Sequence, residues 1–525
     1  MKNGIIKDIE VYNSIKSKAI TAFEEDKFEE SLDYIRTAAL MAWQCHCGIW
    51  YDDELEILLM SIALSLKNEN IAWKFGTDEA GQGTGEKIAY VTSAVNIGGL
   101  TIHLNNWINL LKNDFKEKTV YVTNSYTSKK PFYCKNNTFN DPELRFYNLS
   151  HQKKYTDRIM ELVNLLNNYS PDYIVMFVDP DDVIAVSAIS ALDIHPKIIY
   201  ANHMDHSFWL GKNIMDDLAC FRNEGALHAK QCRDLNNSFI VPISTNIKPQ
   251  KTFSKEDFGI GKNATVSISI GTFPKVLGNK NPNYFHTITS LLEKFPDHYH
   301  FFITNPPDKL VLEKYLPDNP DVKRRFIIDG PFSYLSPYYE IADFLIETFP
   351  ITGYAVQVEA MAFKLPIVAF ENKFPLFSSA GNLYSYPFVA ATENDIIHLS
   401  GKLIKNPRLR LKIGNILYNH YIKKLNPNQT YSSLKDLIND KPQNLNLEKG
   451  AVCSSYDIKD VKMFTCRNFT PYKQLILQSV LKKSSFSIKE RFKFYYNALK
   501  MKEFHSKKEE MLGYLIPVIS GRNTF

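Results

Sequence analysis

The side chains best suited to chemistry follow a tight turn in the stretch 347–370. Pro350, Thr352 and Gly353 turn the chain out of an apolar strand and into a helix, whose first backbone N–H groups have no partner inside the helix. Those free donors, together with the positive end of the helix dipole, suit a diphosphate. Glu359 lies past the first helical turn, where its carboxylate can meet a sugar hydroxyl beside the phosphates. The stretch predicts a diphosphate-binding helix with a carboxylate next to it.

A second candidate is the loop 202–211, which follows a predicted strand. Its residues His203, Asp205 and His206 have the side chains of an acid/base site, and Trp209 would offer a surface on which a sugar stacks. The alternative is a loop whose polar side chains hydrogen-bond locally beneath a half-buried tryptophan. We favour the functional interpretation because ligands bind parallel sheets at the carboxyl ends of strands.

Two further clusters of potential metal ligands are interpreted as structural. Cys45, His46 and Cys47 have no second ligand pair at zinc-site spacing, and seven thinly spread cysteines do not make a disulfide framework. Asp179 and Asp181 follow a predicted strand, where we favour an Asx turn that opens the next helix. We therefore expect no metal site.

The elements that must position these residues form two series of alternating strands and helices. The first series begins at Lys87 and the second at residue 264, and their strands are apolar on both faces, as in a doubly covered parallel sheet. In the second series, a basic loop with Lys275 and Lys280 follows the first strand. A lysine at such a strand end can neutralise a phosphate.

The two ends of the chain read as helical. Residues 8–70 have apolar positions at helical spacing, and 26–34 resembles part of one tetratricopeptide repeat, which must pack on the next domain or bind a partner protein. We favour packing. From residue 472 onward, apolar and basic residues alternate with glutamates, so we favour docking of this tail on the sheet domains over contact with an anionic membrane.

Length and charge narrow the class of protein. A chain of 525 residues is too long for one core, so we expect two or three domains. The net charge of +5, spread over the whole chain, is too weak to favour nucleic acid as a partner. The longest apolar runs fall short of the roughly 20 residues of a membrane span, and no apolar signal segment follows Met1. A cytoplasmic enzyme is expected.

Several short motifs resemble segments of GT-B glycosyltransferases, most closely those of family 4. Segments 87–93 and 98–103 resemble the first strand and its glycine loop, 242–246 the interdomain hinge strand, 329–332 and 339–344 the stretch before the donor motif, and 359–369 the donor motif itself. The last match is the most specific, and the resemblance covers about residues 86–440.

The resemblance implies an α/β chain of the GT-B fold, in which two Rossmann-like domains face a cleft. We place a helical N-terminal extension at 1–75, an N-terminal Rossmann-like acceptor domain at 86–247, a C-terminal Rossmann-like donor domain at 263–440, and a spacer with C-terminal helices at 441–525.

The same resemblance implies a nucleotide-diphosphate sugar as donor, bound mainly by the second domain. Glu359 would bind the ribose, backbone groups of 352–354 the diphosphate, and a lysine its charge, so that no metal and no other cofactor is required. The predicted donor-binding residues are Gly98, Gly99, Lys275, Lys280, Asn305, Thr352, Gly353, Tyr354 and Glu359.

One position departs from the family 4 pattern. Where that family carries a second glutamate, seven intervening residues before Glu359, this chain has Ile351, and Glu347 is out of register. The Thr-Gly turn, the Lys280-Asn-Pro segment and the helical N-terminus also resemble the O-linked N-acetylglucosamine transferases and the HMW1C-like transferases, which invert. Inversion usually requires a base near the acceptor hydroxyl. The predicted catalytic residues are His206, His203, Asp205 and Lys280.

We therefore expect a glycosyltransferase, for a hexosyl or N-acetylhexosaminyl group, that uses a nucleotide-diphosphate sugar, and we expect this donor to be a UDP-sugar. Its acceptor would be a hydroxyl of a glycan, of a lipid-linked polysaccharide or of a protein, and peripheral contact with the inner face of a membrane fits the second of these. A nucleotide-sugar epimerase of the same fold and a non-catalytic sugar-nucleotide-binding subunit are the alternatives.

Overall fold

The computed structural model describes residues 2–45, 48–69, 87–95, 99–123, 139, 141–150, 153–245, 247, 249–250, 252–276, 283–330, 335–371 and 386–443. The predictions for His46, Cys47, Gly98, Lys280 and the C-terminal segment from 444 onward lie outside these residues. None of the described helices combines the length and the apolar composition that a membrane-spanning segment requires.

The described chain begins with three helices that carry the predicted helical pattern. These are α1 (Lys2–Glu24), α2 (Phe28–Cys45) and α3 (Asp53–Glu69). Apolar side chains on one face of each helix are fully buried, including Ile15, Leu32 and Leu59. Because such a face needs a partner, the helices share one hydrophobic cluster with the first sheet.

The first sheet has seven parallel strands in the order β3-β2-β1-β4-β5-β6-β7. Its strands are β1 (Lys87–Thr92), β2 (Glu117–Val122), β3 (Arg145–Asn148), β4 (Tyr173–Phe177), β5 (Lys197–Asn202), β6 (Asp217–Cys220) and β7 (Ser238–Ile240). Its helices are α4 (Gly99–Leu110), α5 (Tyr155–Tyr169), α6 (Val183–Ser190) and α7 (Asn223–Arg233).

The second sheet has six parallel strands in the order β10-β9-β8-β11-β12-β13. Its strands are β8 (Thr265–Ile270), β9 (His298–Ile303), β10 (Phe326–Asp329), β11 (Phe344–Ile346), β12 (Ile367–Phe370) and β13 (Val389–Ala390). The helices are α8 (Tyr284–Lys294), α9 (Pro306–Leu312), α10 (Pro320–Lys323), α11 (Ser336–Ile341), α12 (Tyr354–Ala362), α13 (Glu393–Lys405), α14 (Pro407–Lys424) and α15 (Pro427–Ile438).

The strand order of each sheet reverses at its first strand, so β1 and β8 lie at topological switch points. A crevice opens at the carboxyl ends of the strands at such a point and binds ligands in open α/β sheets. The predicted glycine loop follows β1, and the loop with Lys275 follows β8. The two sheets with their flanking helices confirm the predicted fold class.

The chain returns to the first sheet after the second sheet is complete. In α15, Thr430 Oγ1 donates to the Pro242 carbonyl at 2.8 Å, and Lys435 pairs with Asp114 at 2.6 Å. Gln443 then hydrogen-bonds the backbone of Ile240 in the edge strand β7. These contacts tie the end of the second α/β series to the first, which the sequence does not indicate.

The N-terminal helices dock on the first sheet through polar contacts as well as apolar packing, as predicted. Glu29 of α2 accepts the backbone N–H groups of Tyr155 at 2.9 Å and Thr156 at 3.1 Å, and so caps the beginning of α5 from another helix. Arg36 pairs with Asp181 at 2.9 Å beside α6. A partner protein for these helices stays a prediction.

The acidic turn before α6 is structural, as predicted, although the capping residue is Asp182. Its Oδ1 accepts the backbone N–H groups of Ile184 at 3.1 Å and Ala185 at 3.0 Å. Asp181, which is fully buried, instead forms the ion pair with Arg36. Both carboxylates thus make contacts that shape the beginning of α6 and its docking on α2.

We predict that Arg36→Ala strongly destabilises the protein, because it leaves the fully buried Asp181 without its positive partner. The free energy of unfolding in urea should fall by about 3–5 kcal/mol. Lys27→Ala, in the turn between α1 and α2, is the matched control. Lys27 pairs with Glu25 where both side chains are more than half exposed, at 54% and 52%, so stability should hardly change. Equal effects of the two variants would contradict the docking role of Arg36.

Candidate active site

Histidine side chains gather at the carboxyl edge of the first sheet. His203 directly follows β5, and a Cβ built on Gly99, the first residue of α4, would lie 3.3 Å from His203 Cε1. The ring of His103 in α4 is 5.8 Å from that of His203. The structure therefore brings the predicted glycine loop and the predicted acid/base loop together, as parallel strands require.

Asp205 is held between a guanidinium and an imidazole. Arg222 Nε donates to Asp205 Oδ2 at 2.7 Å and Arg222 Nη2 to Asp205 Oδ1 at 2.9 Å, which is a bidentate ion pair. His206 Nδ1 lies 3.3 Å from Asp205 Oδ1. Burial by itself raises the pKa of Asp205, but Arg222 and the contact with His206 hold this pKa well below its usual range. Asp205 is thus an ionised carboxylate beside a histidine that is 29% exposed at its side chain.

A glycine in α7 makes room for this ion pair. A Cβ on Gly225 would lie 2.7 Å from Asp205 Oδ2 and 3.1 Å from Asp205 Cβ, closer than real contacts allow. Gly225 follows Arg222, the N-cap residue of α7, by three positions. The absence of a side chain at Gly225 therefore lets the carboxylate approach the guanidinium.

The two histidines of the loop differ in their surroundings. Burial, followed by the effect of His206, lowers the pKa of His203 to about 4, and Lys275 contributes in the same direction. His203 is consequently a neutral imidazole at neutral pH. His206, which is more exposed and next to the Asp205 carboxylate, is the better candidate for a general base.

Trp209 does not form the predicted stacking surface, and this prediction was wrong. Its side chain is 1% exposed and stacks on Tyr200, with ring centroids 4.4 Å apart. The guanidinium of Arg233 lies over its other side at 4.7 Å, and Arg233 also donates to the Ser207 carbonyl. The buried indole, packed against Tyr200 and Arg233, thus anchors the loop to the sheet.

The far end of the same loop is fixed by the N-terminal helices. Glu56 of α3 accepts the backbone N–H groups of Gly211 at 2.6 Å, Lys212 at 3.2 Å and Asn213 at 3.3 Å. Burial raises the pKa of Glu56 to about 7, although the three hydrogen bonds oppose this rise. The helical extension is thus part of the framework that holds the histidine loop.

On the second sheet, the beginning of α12 has the properties of an anion site. Gly353 is its N-cap residue, in an extended conformation, and provides no side chain to cap the free N–H groups of the first turn. Lys275, at the carboxyl end of β8, places its Nζ 3.4 Å from the Thr352 carbonyl and 3.1 Å from a Cβ built on Gly353. The structure brings together Lys275, Thr352, Gly353 and Tyr354, as the sequence predicts for a diphosphate site.

Glu359 lies on the second turn of α12, only 8% exposed. The hydroxyl of Tyr339 donates to Glu359 Oε2 at 2.6 Å. Burial raises the pKa of Glu359 to about 7, against the effect of that hydrogen bond. Tyr339, which the sequence analysis did not single out, therefore fixes the carboxylate that is predicted to bind a ribose.

Glu347 does not take the place of the carboxylate that Ile351 replaces. It is 3% exposed, accepts the backbone N–H of Phe370 at 2.8 Å, and accepts a hydrogen bond from Gln357 Nε2. Burial raises its pKa to about 8, an effect that the nearby Lys275 opposes. The buried Glu347 thus stabilises the turn before α12 through these hydrogen bonds.

Electrostatic interactions connect the two halves of the site. Burial raises the pKa of Tyr354, the first residue of α12, and Glu224 of α7 raises it further while Arg222 opposes the rise. Lys275, on the second sheet, acts on the pKa of His203 on the first. The helix start on one sheet and the histidine loop on the other therefore face the same space.

Three predicted site residues remain, namely Asn305, Gly98 and Lys280. Asn305 occupies the N-cap position of α9, after β9, without a capping hydrogen bond from its side chain, and no described contact joins it to Lys275 or to α12. Gly98 and Lys280 lie outside the described residues. Within the described ranges, no three or more His, Cys, Asp or Glu side chains converge as they would around a metal ion.

Arg222, the residue that holds the Asp205 carboxylate in place, was not predicted from the sequence. It follows β6, a strand of four residues that the sequence analysis did not predict. The signal that was available is the apolar run 218–221, followed by a polar turn and Gly225. Read as a strand and a turn, this run places Arg222 at the carboxyl edge of the sheet.

Comparison with known proteins supports the fold. No family model and no curated protein matches the sequence. A glycosyltransferase from Rickettsia africae aligns over 68% of this chain and 99% of its own, at 11% identity and a TM-score of 0.52. Anabaena Alr3699/HepE, in complex with UDP and glucose, aligns over 67% and 99%, at 10% identity and a TM-score of 0.52. An O-GlcNAc transferase variant from Thermobaculum terrenum covers 82% and 84%, at 13% identity and a TM-score of 0.48.

At these identities the similarity establishes the fold alone. The chain has the GT-B architecture, as the motifs predicted.

We predict that Glu359 makes stability depend on pH. The unfolded chain releases this proton near pH 4.5, whereas the folded protein holds it up to about pH 7. The resulting contribution to stability is fully present below pH 4.5 and is lost as the pH rises to 7, with a size of order 2–3 kcal/mol. Glu359→Gln keeps an acceptor for Tyr339 but does not titrate, so it should flatten the pH dependence.

The measurement is the free energy of unfolding in urea at pH 5 and at pH 7.5. Glu313→Gln, at an exposed position in the same half of the chain, is the control and should retain the slope of the unchanged protein. A Glu359→Gln variant with that same slope would show that the carboxyl is already ionised at pH 5.

Proposed function

We propose that this protein is a glycosyltransferase that moves a sugar from a nucleotide-diphosphate sugar, a UDP-sugar, to a hydroxyl group. The observation that carries the proposal is the beginning of α12, where an uncapped helix, the Lys275 ammonium and the Glu359 carboxylate lie in one place. The GT-B fold supports it, and a structural neighbour, Anabaena Alr3699/HepE, binds UDP and glucose.

In the proposed donor complex, the second sheet binds the nucleotide. The free N–H groups at the beginning of α12 donate to the diphosphate, and the ammonium group of Lys275 neutralises it. Burial lowers the pKa of Lys275, so the approach of a diphosphate would favour its charged form. Glu359, oriented by Tyr339, accepts hydrogen bonds from the hydroxyl groups of the ribose. Lysine and helix dipole together supply the positive charge that stabilises the leaving diphosphate, without a metal.

The first sheet would provide the base. His206 Nε2 takes the proton of the acceptor hydroxyl while the acceptor oxygen attacks the anomeric carbon, and the bond from that carbon to the diphosphate oxygen breaks. The UDP carries away the bonding electrons. Asp205, kept ionised by Arg222, orients His206 through Nδ1 and stabilises the imidazolium that forms. This single displacement inverts the anomeric centre.

The donor sugar is a hexose or an N-acetylhexosamine, and the acceptor hydroxyl belongs to a glycan, to a lipid-linked polysaccharide or to a protein. Incubation with a panel of UDP-sugars and no acceptor tests the reaction class. Slow release of UDP supports a transferase, whereas a changed sugar that stays attached to UDP would establish an epimerase. Binding of donors without either reaction would establish a non-catalytic subunit.

We predict that donor binding and catalysis separate by sheet. Lys275→Ala and Glu359→Gln should each weaken the binding of UDP about tenfold or more, because the first removes a positive charge beside the diphosphate and the second replaces the carboxyl group that binds the ribose hydroxyls. His206→Ala should leave UDP affinity unchanged and lower the rate of sugar transfer by about 10²–10⁴-fold.

Calorimetry with UDP and an assay of UDP release from the donor measure the two effects. Lys314→Ala, at an exposed position on the same half of the chain, is the control for the loss of a lysine and should bind and react normally. If His206→Ala weakens UDP binding as much as Lys275→Ala does, the assignment of donor binding to the second sheet and of catalysis to the first is wrong.

A further inference from the structure

The positive charge of the chain is concentrated in one segment, contrary to the even spread expected from the sequence. Residues 396–435 contain eight lysines and arginines and no aspartate or glutamate, whereas the net charge of the whole chain is only +5. This segment contains most of α13, all of α14 and most of α15. A run of like charge with no acidic residue points to an anionic partner.

The outer face of α14 combines these charges with exposed aliphatic side chains. Leu411, Ile416 and Ile422 are 66%, 48% and 45% exposed. At about 100° per residue, they fall within an arc of about 140° that also contains basic and amide side chains. We call this surface the α14 face: Arg408, Leu411, Lys412, Asn415, Ile416, Asn419, Ile422 and Lys423.

The opposite side of the helix is committed to the core. Ile413, Leu417 and Tyr421 are buried there, and the carbonyl of Lys364 approaches so closely that a Cβ on Gly414 would lie 1.9 Å from it. The helix therefore cannot turn its aliphatic face inward, and the exposure of that face is imposed by the fold.

The charges of the α14 face are not neutralised by neighbouring elements. Arg410 points inward and pairs with Asp343 at 3.2 Å, but no ion pair within the described residues engages Arg408, Lys412 or Lys423. On adjacent elements, Lys402 and Lys405 are exposed at the end of α13. The acidic residues of α13, Glu393 and Asp395, lie in its first turn, at the other end of the helix.

We propose that the α14 face docks the protein on an anionic lipid membrane. Lysine and arginine contact the lipid headgroups, and the three aliphatic side chains enter the boundary between headgroups and acyl chains, as in helices that lie in the membrane plane. This inference does not depend on the proposed transferase activity, because the α14 face contains none of the donor or acid/base residues.

Other occupants match the surface less well. A second copy of the chain would bring its own α14 face with the same positive charge. The chain's own tail is basic too, with Lys482, Lys483 and Lys489. Nucleic acid would pair with the lysines, but it offers no apolar environment for Leu411 and Ile416. An anionic bilayer satisfies both the charge and the apolar side chains.

The test is co-sedimentation of the full-length protein with lipid vesicles. Unchanged protein should bind vesicles that contain phosphatidylglycerol and remain in the supernatant with pure phosphatidylcholine, and added salt should weaken the binding. Leu411→Glu combined with Ile416→Glu should lower the partition coefficient at least about tenfold. Both positions are exposed, so the variant should fold, which circular dichroism and unchanged UDP binding would verify.

Leu310→Glu is the matched control, because Leu310 is 68% exposed and follows Lys309 on α9 of the same sheet. It should bind vesicles like the unchanged protein. The proposal is overturned if the unchanged protein does not bind anionic vesicles, if it binds neutral ones equally well, or if the double variant binds like the control. Protection of Leu411→Cys from maleimide without vesicles would show that protein covers the face, and would overturn it too.

Discussion

The parallel order of both sheets is the constraint on which the site depends. Because all strands of a parallel sheet end at one edge, the loops after β1, β5 and β6 must meet, and so must those after β8 and β11. Residues far apart in sequence, such as Gly99 and His203, are brought into contact without any special interaction between them. The chain then needs only local means, such as a cap, an ion pair or a missing Cβ, to orient the side chains that carry function.

The buried ionisable side chains of the first sheet and of the second sheet are stabilised differently. On the first sheet, the Asp205 carboxylate is compensated by Arg222 and stays ionised, which keeps a fixed negative charge beside His206. On the second sheet, burial raises the pKa of Glu359 to about 7 without a cationic partner, while burial lowers the pKa of Lys275. An anionic ligand near Lys275 would restore the balance there. These charge states fit the proposed roles, in which the first sheet transfers a proton and the second binds an anionic donor.

The sequence reveals those parts of the fold that follow from local patterns. Strands such as β1 and β8 are long apolar runs, and their positions were predicted within one or two residues. The short strands β3, β6 and β13 were missed, because all four residues of β3 are exposed and β13 has only two residues. In the candidate site, residue types and positions at strand ends led to the predictions of His206, Lys275 and Glu359, and the structure places these residues at the carboxyl edges of the two sheets. The pairing of Asp205 with Arg222 depends on the order of the strands in the sheet, and the burial of Trp209 depends on its contact with Arg233. Neither contact can be predicted from the spacing of residues along the sequence.

Ile351 limits what the turn before α12 can do. Thr348 Oγ1 donates to the Ile351 carbonyl at 2.8 Å, and the Ile351 N–H lies 3.4 Å from the Lys275 carbonyl, so its backbone shapes the turn while its side chain offers no charge. Glu347 is directed into the core, towards Phe370 and Gln357. The second sheet therefore presents cationic and N–H groups to a donor, but no carboxylate from this turn to a reacting sugar. In the proposed reaction, the base would therefore come from the facing sheet, where Asp205 and His206 lie next to each other. The N-terminal helices contribute to the same proposal, because Glu56 of α3 fixes the end of the loop that carries Asp205 and His206.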